Sequence, residues 1–556
     1  MSRDDQRRVA TRTSGSVPPL REAADPADPR PLGPPAAGPH RFFADLVSTH
    51  MLHSLQIRPA YALAAPTPLE VWRRNLEIVA TLLTAVGVDH FAVPGFSLTR
   101  PVLGVAEIDR PRVVAALAML CDTTGGRLTV PEPARRESEA ALDRPKWAGR
   151  PDMGDVPVVR ADWLWTEPTR NLVFGAEYGC DVEFWADLGD DRLLAPRHNR
   201  VGPVIRRGGA SVAAGERLFT ALSDGPGEVL TRPEFTVPGP DHIDFPIDVV
   251  YTWVDGADHA WRRRRAEAER SPYHAESADE SRYNDREELR YSLRSLHLNA
   301  PWVRHVYLVT DRQRPHWLDP EARGLTVVDH RDLFDDPAHL PTFNSHAIET
   351  QLHRIEGLSE HFLYFNDDMF LGRPVSPGLF FEPNGLSRFF PAETFIEFGP
   401  VSTADAPPNA AFKNDRALVE RAFGRTISRM MKHVPYPMRR SVLAEVEKEF
   451  HEDCARTAGS AFRDLSDLSV VTLQHYYAFL TGRAVAGAAR DAYLELGWPD
   501  LGQRLAELLE RRDREAFCIN DAGLDPNLAE ERAAMMRAFL DAYFPVPSPF
   551  ERPLTL

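Results

Sequence analysis

Between residues 247 and 368 the chain repeats one pattern four times: a short apolar run of β-forming residues that stops on an acid or an amide. IDVVYTWVD ends at Asp255, HVYLVTD at Asp311, LTVVD at Asp329, and HFLYFNDD at Asn366, Asp367 and Asp368. Helical patterns lie between these runs. Arg286 to Leu298 places Leu289, Leu293 and Leu296 on one face, with Asn284 and Asp285 as the expected caps. Ser345 to Glu356 turns Ile348, Leu352 and Ile355 inward and stops at Gly357. Near-continuous apolar strands alternating with amphipathic helices predict an α/β domain built on a mostly parallel sheet covered on both faces. Such sheets bind ligands outside the carboxyl ends of their strands, so the four acidic ends are expected to border one crevice.

The rest of the chain divides by composition. Residues 1–41 contain eight prolines and no aromatic residue, too little apolar surface to offset the entropy of ordering, and are expected to be disordered. Residues 42–222 read as a small α/β module. Its helix over 69–86 turns Leu69, Trp72, Leu76, Val79 and Leu83 to one side, and short strands near 88–93, 128–130, 172–174 and 180–184 surround a helix at 110–121. The acidic residues of Asp181 to Leu188 read as a solvated strand edge. Residues 223–246, with five prolines, read as a linker. A domain over 247–545 follows, mainly helical from 413 onward, and residues 546–556 read as a Pro-rich tail.

Charge limits the partners. With 65 Lys+Arg against 81 Asp+Glu, the formal net charge is −16. That argues against a protein held on nucleic acid or anionic lipid by its overall field. It leaves room for an anionic small ligand wherever a bound cation inverts the local sign. The four cysteines are scattered with no CxxC pair, which suits a reducing compartment. No targeting segment or bilayer-length apolar run is visible, so a cytoplasmic location is expected, with peripheral attachment to a membrane assembly. P-loop, nucleophile-elbow and protein-kinase motifs do not occur.

Asp367 and Asp368 at a strand end suit Mg²⁺ or Mn²⁺, whose preference for hard oxygen ligands extends to diphosphate oxygens. Trp253 offers either a stacking surface for a base or an ordinary core side chain. His346, Glu349 and His353 lie along one side of the second helix and suggest zinc, but the two histidines are two helical turns apart, about 10 Å along the axis, too far to share one ion. Arg262 to Arg265 read as a solvated helix face. His433 in KHVPYP falls at a helix end or turn, where a histidine can serve as general acid or base.

Taken together, four blocks resemble the characteristic regions of the Stealth family of sugar-phosphate transferases. They are IDVVYTWVDG (247–256), SRYNDREELRYSLRSLHLNAPWVRHVYLVTDRQRPHWLD (281–319), the stretch from LPTFNSHAIETQLHRIEGLSEHFLYFNDDMFLG (340–372) through KHVPYPMRR to FRDLSDLS, and CINDAG (518–523). The resemblance covers roughly 245–525 and implies a Rossmann-like or GT-A-like sheet. It also implies transfer of a sugar 1-phosphate from a nucleotide diphosphate sugar to a glycan hydroxyl, at sites of exopolysaccharide or capsule synthesis. On that resemblance Asp255, Asp367 and Asp368 would hold Mg²⁺ or Mn²⁺, His433 would act as base, and Arg463 would meet the phosphoryl oxygens. Asn520 and Asp521 would complete the site, and Trp253, Asn284, Glu288 and Arg290 would position the nucleotide or sugar. The competing reading is a glycosyltransferase that moves the sugar without its phosphate. A non-catalytic glycan-binding protein is a third.

Overall fold

The four apolar runs become the strands Ile247–Thr252, Val306–Thr310, Leu325–Asp329 and His361–Asn366 of one five-stranded sheet. The computed structural model describes residues 48–53, 56–131, 156–269, 283–521 and 524–553, so the segment 1–41 expected to be disordered lies outside the described residues. Across the sheet the order is 325–329, 306–310, 247–252, 361–366, with Tyr436–Arg439 at the edge. The first four strands are mutually parallel and the last is antiparallel. The chain builds outward on one side of the 247–252 strand, then returns to its other side. This leaves a topological switch where Thr252 and Asn366 are register partners. Val249, Val250, Tyr251, Phe362, Leu363 and Phe365 are each completely buried, the burial on both faces that an uninterrupted apolar run requires.

Among the described residues the whole chain is mixed α/β, and its other large sheets are mixed or mostly antiparallel. A mostly parallel architecture therefore describes this one sheet and not the chain. Helix Glu288–Asn299 covers one face with Leu289, Leu293 and Leu296 buried. Its capping differs from expectation. Glu287 enters the helix in the left-handed region at φ 68, Asp285 Oδ1 accepts the Glu287 N–H, and Glu288 accepts the Arg286 N–H. The predicted helix 345–356 is α-helical only over Ser345–Glu349, and its second half tightens into a 3₁₀ turn at Leu352–Arg354. Thr350 Oγ1 donates to the Ala347 carbonyl at the break, a side-chain bond that competes with regular helix. Ile348, Leu352 and Ile355 are buried nonetheless.

In the N-terminal part, the predicted helices are Pro68–Ala85 and Arg110–Thr124. The second ends at Gly125, at φ 63, where a Cβ would sit 1.9 Å from the Pro59 ring. The strand Cys180–Gly189 is not a solvated edge. It lies inside a seven-stranded sheet, with Asp181 and Glu183 both 1% exposed. Arg160 and Arg197 pair with Asp181 at 2.6 and 2.9 Å, and Arg197 with Glu183 at 2.6 Å, so buried carboxylates are matched by guanidinium groups from neighbouring segments.

Two boundaries also change. The proline-rich stretch 223–246 is no linker: Glu228–Thr231 pairs with Val212–Gly215, and Phe235 is buried in the core of the N-terminal unit. Pro233 opens a short 3₁₀ helix over Pro233–Phe235, and the few apolar residues of the stretch suffice to anchor it. Residues 546–553 are no tail either. Val546 and Phe550 are buried, and Glu551 receives the guanidinium of Arg294 at 2.7 Å and that of Arg290 at 2.6 Å.

Candidate active site

A cleft of about 920 Å³ opens at the carboxyl end of the five-stranded sheet. Thr252 and Trp253 reach it from the central strand, and Asn366, Asp367 and Asp368 from its neighbour. His433 enters from the turn between strands Arg429–Met431 and Tyr436–Arg439, and Arg463 from the loop ahead of helix Val470–Leu480. Asn520 and Asp521 come from the end of strand Ala516–Asn520.

One local device assembles much of this. After Asp368 the chain leaves the main sheet as the strand Met369–Leu371, which pairs antiparallel with Ala516–Cys518. That pairing carries the fourth sequence block to the third. Asp368 Oδ2 accepts the Cys518 thiol and the Asn520 amide, each at 3.2 Å, while Oδ1 lies 3.4 Å from His433 Nε2. The other ring nitrogen of His433 is 3.1 Å from the Tyr436 hydroxyl, so the imidazole is held from both sides. Burial works against the charge on Asp368, yet His433, Cys518 and Asn520 outweigh it and hold the carboxyl below its usual range. Its neighbour goes the other way. Burial, then the charges of Asp368, Glu288 and Asp285, push Asp367 well up.

A second polar group lies deeper in the cleft. Glu349, 8% exposed, accepts the Tyr364 hydroxyl at 3.2 Å, and Tyr364 meets Thr252 Oγ1 at 3.0 Å. Burial raises Glu349 to about 7, opposed by the nearby Arg463 and His433 charges and by the Tyr364 bond. Arg463 Nη2 donates to Ser345 Oγ at 2.7 Å. Sequence reasoning weighed Glu349 only as a zinc ligand and passed over Tyr364. The available signal was a polar tip inside an otherwise apolar strand.

The expected residues divide. Trp253, Asn284, Glu288, Asp367, Asp368, His433, Arg463, Asn520 and Asp521 all line the cleft. Asp255 does not: its carboxylate accepts the Ala257 N–H, and its backbone is held by Gln313. Arg290 points instead to Glu551 and Glu287. Of the four acidic strand ends, Asp311 and the Asn366–Asp368 group reach the cleft, while Asp329 pairs with Arg331 outside it. Arg264, expected in a solvated basic run, pairs with Asp311 at 2.7 Å, and Arg265 is buried over the Tyr283 ring.

Among the described residues one group of three side chains could hold a metal ion, Asp368, His433 and Cys518, with ligand atoms within 4.8 Å of one another. Burial and Asp368 push the Cys518 thiol well up, so it remains a protonated donor to Asp368 and a poor ligand for a hard cation. The fit to Mg²⁺ or Mn²⁺ rests elsewhere. Asp368 Oδ1 is buried and has only the long 3.4 Å contact with His433, and Asp367 is crowded by three further carboxyl groups. Arg286 lies 3.0 Å from Asp521 and 3.7 Å from Glu288, which leaves carboxyl groups in excess, and such an excess suits a divalent cation held by oxygens.

Fold and cleft together define a mixed α/β protein with a polar cleft at the carboxyl end of a largely parallel sheet, and the comparisons supply its family. Models of Stealth protein conserved regions 1 to 4 match residues 245–273, 282–389, 432–479 and 506–555. Two exopolysaccharide phosphotransferases of Streptomyces coelicolor are similar over most of the chain. One is 47% identical over 494 residues, covering 87% of this chain and 91% of the relative. The other is 49% identical over 502 residues, covering 88% and 84%. An exopolysaccharide phosphotransferase of Mycobacterium tuberculosis is 35% identical over 495 residues, covering 87% and 89%. The chain belongs to the Stealth family.

Proposed function

We propose that this protein is an exopolysaccharide phosphotransferase that moves a sugar 1-phosphate from a nucleotide diphosphate sugar to a hydroxyl of a glycan acceptor. The observation that carries this reading is His433, fixed between Asp368 and Tyr436 in the same cleft as Arg463. In the reaction the acceptor oxygen forms a bond to the sugar-proximal phosphorus. The bond from that phosphorus to the nucleoside monophosphate breaks, and the electron pair leaves with the nucleotide. A ring nitrogen of His433 takes the acceptor's proton, and the Asp368 carboxylate beside the ring stabilises the imidazolium that results. Arg463 offers a planar fork to the phosphoryl oxygens as charge accumulates on them.

Asp367 and Asp368 are the side chains we assign to Mg²⁺ or Mn²⁺, with Asn520 and Asp521 adjoining. The ion supplies charge neutralisation on the diphosphate. Trp253, Asn284 and Glu288 border the part of the cleft assigned to the donor. We place the reaction in the cytoplasm, in peripheral contact with polysaccharide-assembly machinery. All four cysteines are buried free thiols, which agrees with a reducing compartment. Among the described residues no helix is long and apolar enough to cross a membrane.

The test is incubation with a panel of UDP- and GDP-sugars plus Mg²⁺ or Mn²⁺, scoring the nucleotide released. UMP or GMP supports phosphotransfer. UDP or GDP would identify a glycosyltransferase and overturn it.

A further inference from the structure

On one side of the cleft the chain builds a two-stranded arm that the reaction chemistry does not use. Strand Pro391–Phe395 pairs antiparallel with Arg429–Met431, and Met430 and Met431 of that second strand line the cleft. The arm therefore continues the cleft wall outward. At its end stand two large aromatic side chains in solvent, Phe395 at 59% and Phe398 at 78% exposure. A Phe left in water costs roughly 2 kcal/mol relative to burial, so two exposed on one short segment are more than solubility alone explains.

The arm is also held firmly. Ile396, between the two rings, is buried at 1% exposure and anchors the segment. Arg416, itself 5% exposed, donates to the carbonyls of Ile396, Glu397 and Gly399 at 3.3, 2.6 and 3.3 Å. The same guanidinium lies 5.2 Å from the Phe398 ring centre, and that of Arg429 lies 5.3 Å from the Phe395 ring centre. Exposed rings on a pinned backbone are a preorganised platform, which lowers the entropy lost when a ligand docks. Interleaved with them are the exposed carboxylates of Glu393 and Glu397, the second lying 3.7 Å from Lys413 Nζ and still 71% exposed. Aromatic faces meet the C–H faces of a sugar ring, and carboxylates accept bonds from its hydroxyls. The same carboxylates oppose an anionic lipid surface or a polyanionic chain.

We propose that the 391–400 arm is a docking platform for the acceptor, and that it takes an uncharged glycan chain leading into the cleft. This rests on the phosphotransferase reading but is measured apart from it. The full chain, without donor, is titrated with neutral oligosaccharides of glucose, galactose and mannose by saturation-transfer NMR. In parallel it is floated with phosphatidylglycerol vesicles. The variant is F395A/F398A, whose fold is checked by circular dichroism and melting temperature. The expected result is binding of at least one oligosaccharide series by the wild type and at least a tenfold loss in the variant. UMP or GMP release from the donor panel in water should stay unchanged. Three results would each overturn the proposal: no oligosaccharide bound by the wild type, equal binding by the variant, or vesicle binding that the variant loses. Failure of nucleoside monophosphate release in both proteins would instead strike the phosphotransferase reading.

Discussion

The Asp368 carboxylate lies 3.4 Å from His433 Nε2, and its second oxygen is occupied by Cys518 and Asn520 at 3.2 Å each. One side chain thus joins the histidine to the two other segments that close the cleft. Asp368→Asn keeps the shape but loses the charge that favours an imidazolium, and His433→Ala loses the proton acceptor. Each should lower nucleoside monophosphate release by about a thousandfold or more, within the range of general-base and electrostatic contributions combined. Both should retain the wild-type circular dichroism spectrum. Full turnover in a folded His433→Ala variant would remove the histidine from the mechanism.

Divalent ions should leave a physical trace without any substrate. Mn²⁺ or Mg²⁺ should raise the melting temperature of the wild type, because an ion bound only by the native state stabilises it. The rise should disappear in Asp367→Asn and Asp368→Asn. Asp255→Asn should keep it, since Asp255 lies outside the cleft lining. Loss of the shift in Asp255→Asn alone would reassign the ion.

Glu349 gives a dependence on pH. Burial raises its carboxyl from 4.5 to about 7 in the folded chain, so between those values the native state binds more protons than the unfolded one. Stability from this group therefore falls as pH rises through that window and levels off above it. The full change is roughly 3 kcal/mol. Glu349→Gln removes it, so the variant's urea midpoint should gain on the wild type from about pH 5 to pH 7.5. A constant difference across that range would show that Glu349 is not held protonated.

The C-terminal segment should behave as part of the core. Arg294, 7% exposed, is paired with Glu551, and the carboxylate also accepts the Ser548 N–H at 2.8 Å. Glu551→Ala leaves a buried guanidinium uncompensated and should cost about 3 kcal/mol in urea unfolding. A dispensable tail would show no change.

Much of this was legible before any coordinates. Strand positions in the 247–368 region follow from near-continuous apolar runs, which suit strands largely buried on both faces, although Asp248 is fully buried in the first run and is paired with Arg304 at 2.5 Å. Cleft residues such as Asp367, Asp368, His433 and Arg463 were legible as motif members. Less visible was whatever depends on what lies across the gap. Asp181 and Glu183 look like surface residues by type, and only the guanidinium groups of Arg160 and Arg197 make them tolerable inside a sheet. The Pro-rich 223–246 stretch looks like a linker because composition averages over the few residues, Phe235 among them, that bury.

Residue pattern along the chain sets the local alphabet: which runs are strands, which faces are apolar, and which acids and bases stand at their ends. Tertiary structure decided which of those ends meet. Asp255 and Asp368 end parallel, adjacent strands, yet one is turned away by its own backbone bonds while the other is drawn to Cys518 and Asn520, some 150 residues later in the chain. Side-chain spacing along a strand is set by covalent geometry and can be read from sequence. Distances between strand ends are set by sheet order and by the pairing of Met369–Leu371 with Ala516–Cys518, which arise only when the whole domain packs.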